Sequence, residues 1–166
     1  MNSFLRRESR SAVAVMEAPR PKPRNPPQYR SYKHIQEFIG KQQAACLRDA
    51  LRGEEGEYFD KMLTELDELI KNMPHTYQQE KTPIDEQIVY LHYFKGSCDV
   101  FITEKDKGDV DEPGQHQAFG YTDLGYSAEL GYISIVELLE NNVELDLYFE
   151  PKTVGELKKA GKIKES

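Results

Sequence analysis

The chain has 166 residues and nowhere a run of eighteen apolar ones, which excludes a membrane-spanning helix among its predicted elements. The run Ser11-Ala12-Val13-Ala14-Val15-Met16 follows Arg6, Arg7 and Arg10, but it is too short for a signal core. Glu17 and the prolines behind it close the run, so no secretory leader is expected. Cysteine is scarce. Cys46 and Cys98 have no CxxC spacing, and two buried free thiols in a reducing cytosol is the expectation. The phosphate-cradling patterns GxGxxG and GxxxxGK[ST] are absent, as are GxSxG, HxH, HExxH and any Cys–His pair at catalytic spacing. These absences move the nucleotide-dependent enzymes out of first place and favour a protein without catalysis and without a cofactor.

What is present is charge, unevenly placed. The formal balance is -7, yet residues 1–33 hold eight Arg or Lys against two Glu, or +6, which leaves -13 on the remainder. A basic arm can seek phosphate while an acidic body repels it. Five of the nine prolines fall in residues 1–31, packed into Pro19-Arg20-Pro21-Lys22-Pro23-Arg24-Asn25-Pro26-Pro27. Proline fixes φ and removes donors, so residues 1–31 read as a disordered, extended arm. Arg20, Lys22, Arg24 and Arg30 are its candidate nucleic-acid contacts. The arm lacks the aromatic groups on which single-strand binders stack bases, and a plain linker is the competing reading.

Residues 32–166 read as one α+β domain. Ile35, Phe38, Ile39, Cys46, Leu47, Ala50 and Leu51 recur at helical steps, and Tyr58, Phe59, Met62, Leu63, Leu66, Leu69, Ile70 and Met73 do so more strongly. With Gly53-Glu54-Glu55-Gly56 between them and Pro74 behind, residues 32–75 are predicted to form an antiparallel helical hairpin. Its outward residues Glu54, Glu55, Glu57, Asp60, Glu65, Asp67 and Glu68 make an acidic face. After a connecting loop, residues 87–160 read as a small, mainly antiparallel sheet with short helices. Gln87 to Phe94 and Cys98 to Glu104 form a hairpin about Lys95-Gly96-Ser97, and His116 to Tyr121 is a third strand.

The clearest stretch is Glu129 to Lys152. It reads as a strand, then a helix opened by the capping box Ser134-Ile135-Val136-Glu137, with Asn141-Asn142 suited to the left-handed turn that ends it. Val143, Leu145, Leu147 and Phe149 alternate with Glu144, Asp146, Tyr148 and Glu150, the period of a strand with one dry and one acidic face. Pro151 is expected to end that strand. Thr153-Val154-Gly155-Glu156 then opens a last short helix with a lysine-rich end.

Three groupings suggest chemistry. The loop holding Asp106, Asp109, Asp111 and Glu112 is acidic but fails the calcium pattern, since the twelfth position from Asp106 is Gln117. His92, Asp99, Glu104 and His116 lie on neighbouring predicted strands, and convergence of His92 with His116 would suit general acid–base work or zinc. Residues 99–150 carry thirteen Asp or Glu against Lys105 and Lys107. Such a surface can compete with phosphates for a protein's Arg and Lys, and Glu137, Glu140, Glu144, Asp146 and Glu150 are its candidate partner-binding residues.

Five runs also carry a resemblance: Tyr90-Leu91-His92-Tyr93-Phe94, Phe101-Ile102-Thr103-Glu104-Lys105-Asp106, Gln115-His116-Gln117-Ala118-Phe119-Gly120, Glu129-Leu130-Gly131-Tyr132-Ile133-Ser134 and Glu144-Leu145-Asp146-Leu147-Tyr148-Phe149-Glu150-Pro151-Lys152. Together they resemble a family of small uncharacterised proteins from phages, plasmids and integrative elements, known only as a domain of unknown function. The resemblance spans Tyr90 to Leu157, and the preceding hairpin resembles a longer prophage subtype; the basic arm lies outside it. It implies a cytoplasmic accessory protein of a mobile element, a setting where counter-defence proteins are common, and it transfers no catalytic role.

The expectation is therefore a non-enzymatic, acidic interaction protein that inhibits a host defence or nucleic-acid-handling complex through its carboxylate face. A nucleic-acid-binding accessory protein using the arm, and an enzyme or metal protein using His92 and His116, are the alternatives.

Overall fold

The computed structural model describes residues 32–106 and 116–165. Residues 1–31, with Arg20, Lys22, Arg24 and Arg30, lie outside the described residues, as do Asp109, Asp111 and Glu112. Helices and antiparallel sheets both occur, so the fold is α+β.

Among the described residues four α-helices stand in chain order: α1 (Lys41–Arg52), α2 (Gly56–Asn72), α3 (Ile135–Glu140) and α4 (Val154–Lys159). Seven strands accompany them among the same residues: β1 (Ile88–Val89), β2 (Leu91–Lys95), β3 (Cys98–Lys105), β4 (Gln117–Asp123), β5 (Ala128–Ser134), β6 (Glu144–Leu145) and β7 (Lys152–Thr153). The main sheet has the order β5-β4-β3-β2-β6, antiparallel throughout, and β1 pairs with β7 in a separate two-stranded sheet. Gly96, at φ 58°, supplies the positive-φ residue that the tight β2–β3 turn requires.

Strand alternation feeds two apolar layers. Leu91, Tyr93, Val100, Ile102, Ala118, Ile133 and Leu145 face the stripes Ala44, Leu47, Leu51 of α1 and Leu63, Leu66, Ile70 of α2. On the other side of the sheet, Phe101, Tyr121 and Ala128 meet Val154 and Leu157 of α4 together with Val89 and Ile163. Both layers exclude water, which is the dominant favourable term in folding.

Several expectations are corrected. Ile35 to Leu51 is not one helix: a 3-10 turn at Ile35–Glu37 precedes α1, and Gly40 between them is extended. The Asp67 carboxylate fixes the start of that turn by accepting the backbone amides of His34 and Ile35 at 2.9 and 3.0 Å, donors that a preceding helical turn would otherwise have to satisfy. Asp67 thus leaves the solvated acidic face of α2. Cys46 is exposed, because the buried stripe of α1 passes through Ala44 and Leu47, and Cys98 is half-buried at the start of β3 beside the hairpin turn. Gln87 to Phe94 is divided between β1 and β2. The strand expected over Val143 to Phe149 pairs only at Glu144–Leu145. There Asp146 Oδ1 accepts the Tyr148 amide at 3.0 Å, a side-chain turn that competes with the ladder. Pro151 is followed by β7 rather than by the end of sheet structure.

Both helix openings form the N-cap half of the expected capping box. Ser134 Oγ accepts the Glu137 amide at 3.2 Å, and Thr153 Oγ1 accepts the Glu156 amide at 3.1 Å. Asn142, at φ 56°, lies just beyond α3.

Candidate functional site

The polar constellation with the most defined geometry is built on β2. His92 pairs with Phe101 across the β2–β3 ladder, and the two rings stack at 4.8 Å and 16°. Phe149, carried past the Asp146 turn, adds a third ring at 5.6 Å from His92. The imidazole is held at both nitrogens: Nδ1 lies 3.1 Å from Asp146 Oδ2, and Nε2 lies 2.7 Å from Asp99 Oδ1. A ring with one proton donates to one of these carboxylates; a ring with two donates to both.

Around this unit lies a cleft of about 550 Å³. Its wall includes Asp99, Asp123 and Asp146, its apolar part Phe101, Phe149 and Leu157, and its mouth Lys152, Lys162 and Lys164. Asp123 is buried, and its Oδ1 accepts the Gly125 and Tyr126 amides at 2.7 and 3.0 Å. Asp99 and Asp123 are direct partners in the β3–β4 ladder, so two carboxylates of like charge stand opposite each other.

Of the four residues expected to converge, His92 and Asp99 do. Glu104 and His116 do not. The β3–β4 register shifts between Ile102 and Glu104, and Glu104 turns away to accept the Tyr77 and Gln79 amides at 3.1 and 2.6 Å. His116 packs edge-on against Phe38 at 4.7 Å and bonds the Glu37 carbonyl. The joint His92–His116 site is therefore overturned. Among the described residues no three His, Cys, Asp or Glu side chains are grouped to hold a metal ion. The carboxylates of Asp99 and Asp146 meet opposite edges of one ring instead of converging on a point.

The candidate acidic residues divide as well. Glu137 and Glu140 are exposed on α3 and Glu144 is exposed on β6, with no ion pair to any of them among the described residues. Glu150 is exposed at the rim of an apolar groove of about 450 Å³ that includes Tyr58, Leu66, Leu69 and Tyr148. Asp146 is different: half-buried and committed to His92 and the Tyr148 amide, it is not part of an outward face. Alternation places it beside Glu144, and the partner that distinguishes it is fifty-four positions away, beyond local reading. Gln43, which no sequence pattern singles out, bonds the backbone of Leu145 through both ends of its amide.

No helix among the described residues is long and apolar enough to cross a membrane. Compared with family models, curated proteins and solved structures, the chain matches none.

Proposed function

We propose that this chain is a non-enzymatic interaction protein of a phage or other mobile element that occupies the basic groove of a host defence or nucleic-acid-handling complex. The observation that carries the reading is the row Glu137, Glu140 and Glu144, exposed and without cation partners among the described residues, while Asp67, Glu104, Asp123 and Asp146 are consumed by internal bonds. Free carboxylates held on a rigid helix and strand compete with phosphates for Arg and Lys, and burial of such charges against a complementary surface gives salt-sensitive binding. The resemblance of Tyr90 to Leu157 to mobile-element proteins supplies the setting.

The test is capture of partners from host lysate by the parent protein and by a Glu137→Lys, Glu140→Lys, Glu144→Lys variant. The parent should recover a complex that added DNA displaces, and the variant should not. Equal recovery by both removes the reading.

The His92 cleft favours a second reading, a site for a small zwitterion whose cation meets the part-exposed carboxylate of Asp99 and whose anion meets Lys152, Lys162 and Lys164. Calorimetry with free arginine, and with agmatine as the analogue lacking the carboxylate, tests it. Arginine should bind, more weakly in Asp99→Asn, and absence of heat with the parent protein removes this second reading.

A further inference from the structure

The two edges of the main sheet are treated differently. At β6, the Gln43 amide takes the outward N–H and C=O of Leu145, so that edge is closed. At β5, the opposite edge, the backbone directions can be read from the ends of the strand. Ala128 donates its amide outward to Lys164 O at 2.6 Å, and Ile135 donates inward to His116 O at 3.1 Å. In an antiparallel ladder the N–H and C=O of one residue point the same way and alternate along the chain. Leu130, Tyr132 and Ser134 therefore face outward with Ala128.

At one end of this row Ala128 is engaged by the chain's own Lys164. At the other, Ser134 is the N-cap of α3, whose carbonyl is committed to the helix. Leu130 and Tyr132 are left with both backbone groups free among the described residues. The two residues are 44% and 58% exposed, and the turn before β5 adds exposed Leu124 and Tyr126. Tyr77, held at φ 75°, places its hydroxyl 2.5 Å from that of Tyr132. Long, regular, apolar edges of this kind are ordinarily blunted by charge, proline or a cover, and β5 carries only Glu129 as a charged residue.

We propose that β5 pairs antiparallel with β5 of a second copy of this chain, about a two-fold axis at Gly131. This register is the one that matches the two free residues to each other: Leu130 faces Tyr132 of the partner subunit and Tyr132 faces Leu130 of the partner subunit, each pair exchanging both its hydrogen bonds. An axis at Leu130 would set the engaged Ala128 against the free Tyr132, and an axis at Tyr132 the engaged Ser134 against the free Leu130; about Gly131 the two engaged residues fall opposite each other and the ladder ends there. An axis at Glu129 would set two carboxylates opposite each other. About Gly131, Glu129 instead meets Ile133 of the partner subunit. The closest, non-hydrogen-bonded crossing falls on Gly131 itself, where no side chain resists approach and a Cβ would meet nothing within 4 Å. On a chain of net charge -7, a nearly uncharged, self-matching edge is where a copy can approach without repulsion.

Sedimentation of the full chain over a wide concentration range should show a mass rising from 19.2 kDa toward twice that value. Leu130→Lys with Tyr132→Lys should hold the monomer with an unchanged circular dichroism spectrum. A second variant fixes the register: Gly131→Cys, in a background of Cys46→Ser and Cys98→Ser, should oxidise to a reducible cross-linked dimer, while Glu129→Cys in that background should not. A chain monomeric at every concentration would assign the edge to another extended segment and overturn the proposal. A dimer that survives the lysine pair, or a dimer of the Gly131→Cys variant that does not cross-link on oxidation, would overturn it as well.

Discussion

Gln43 and Leu145 are joined by two hydrogen bonds across more than a hundred residues of sequence: Gln43 Nε2 donates to Leu145 O at 2.7 Å, and Leu145 N donates to Gln43 Oε1 at 3.0 Å. The primary amide of one helix residue thus acts as a neighbouring strand. Leu145 is 1% exposed, so its backbone groups are shielded from bulk water while Gln43 is in place. Gln43→Ala should lower stability by about 2–4 kcal/mol, since each unpaired buried backbone group costs roughly 1–3 kcal/mol. The shift of the urea midpoint measures it, and hydrogen exchange at the Leu145 amide should accelerate with it. An unchanged exchange rate would contradict the role given to Gln43.

His92 and the acidic row make a contrasting pair. His92→Ala removes the ring stacked on Phe101 and leaves Asp99 and Asp146 without their shared donor. A loss of about 2–3 kcal/mol is expected, in the range of hydrogen bonds to charged groups. The triple substitution of Glu137, Glu140 and Glu144 to lysine should cost up to about 1 kcal/mol at Glu137, which lies in the first turn of α3, and no more than about 0.5 kcal/mol at each of the others, which make no ion pair among the described residues. Chemical denaturation of both variants checks the division between structural and free carboxylates.

Gly120 and Gly131 are cross-strand partners with opposite tolerance. A Cβ on Gly120 would stand 1.9 Å from the Phe101 carbonyl oxygen, which is backbone and cannot swing aside. Gly120→Ala should therefore cost about 3 kcal/mol or more, the upper end of overpacking, or shift the β3–β4 register. Gly131→Ala meets open space and should fold as the parent does. Thermal melts of the two variants, side by side, make the comparison.

These contrasts mark where the sequence is legible. Local chemistry reads well: Ser134 and Thr153 cap their helices, Gly96 turns its hairpin, and the stripe of α2 buries Leu63, Leu66 and Ile70. Distant partners do not. Asp67 breaks the first helix from thirty-two and thirty-three positions away, and Asp146 is drawn out of the acidic face by His92. Glu104 and His116 part from His92 because a register shift after Ile102 re-aims the far end of β3. Cys46 falls on the buried side only if one stripe is drawn from Ile35 to Leu51, and the interruption at Gly40 breaks that stripe.

Alkaline conditions should loosen the fold before neutral or mildly acidic ones do. Burial, with the hydrogen bond to Glu165, pushes the Tyr121 hydroxyl from 10.0 up to about 12. Burial pushes Tyr93 higher still, its hydroxyl donating to the Phe38 carbonyl, and burial with Asp60 does the same to Tyr32. A group whose pKa is raised on folding contributes stability that is complete below its unfolded value. That contribution is lost as pH climbs through the folded value, by up to about 1.4 kcal/mol per unit for each group. Stability should thus fall from pH 10 through pH 12, and Tyr121→Phe should flatten the fall. Lys105, lowered by burial from 10.5, works in the opposite direction only up to that unfolded value, so Lys105→Met should lose stability more steeply just below it. Denaturation midpoints across this range test both slopes.

The order of the sheet has a consequence for synthesis on the ribosome. α1 and α2 emerge first, yet the surface that covers their apolar stripes comes from β2, β3, β4 and finally Leu145 of β6. At about 5–20 residues per second, the helical pair waits for seconds with its oily side unprotected. Within that interval the nascent chain is at its most vulnerable to aggregation, and Leu145 closing onto Gln43 is among the last contacts to end it.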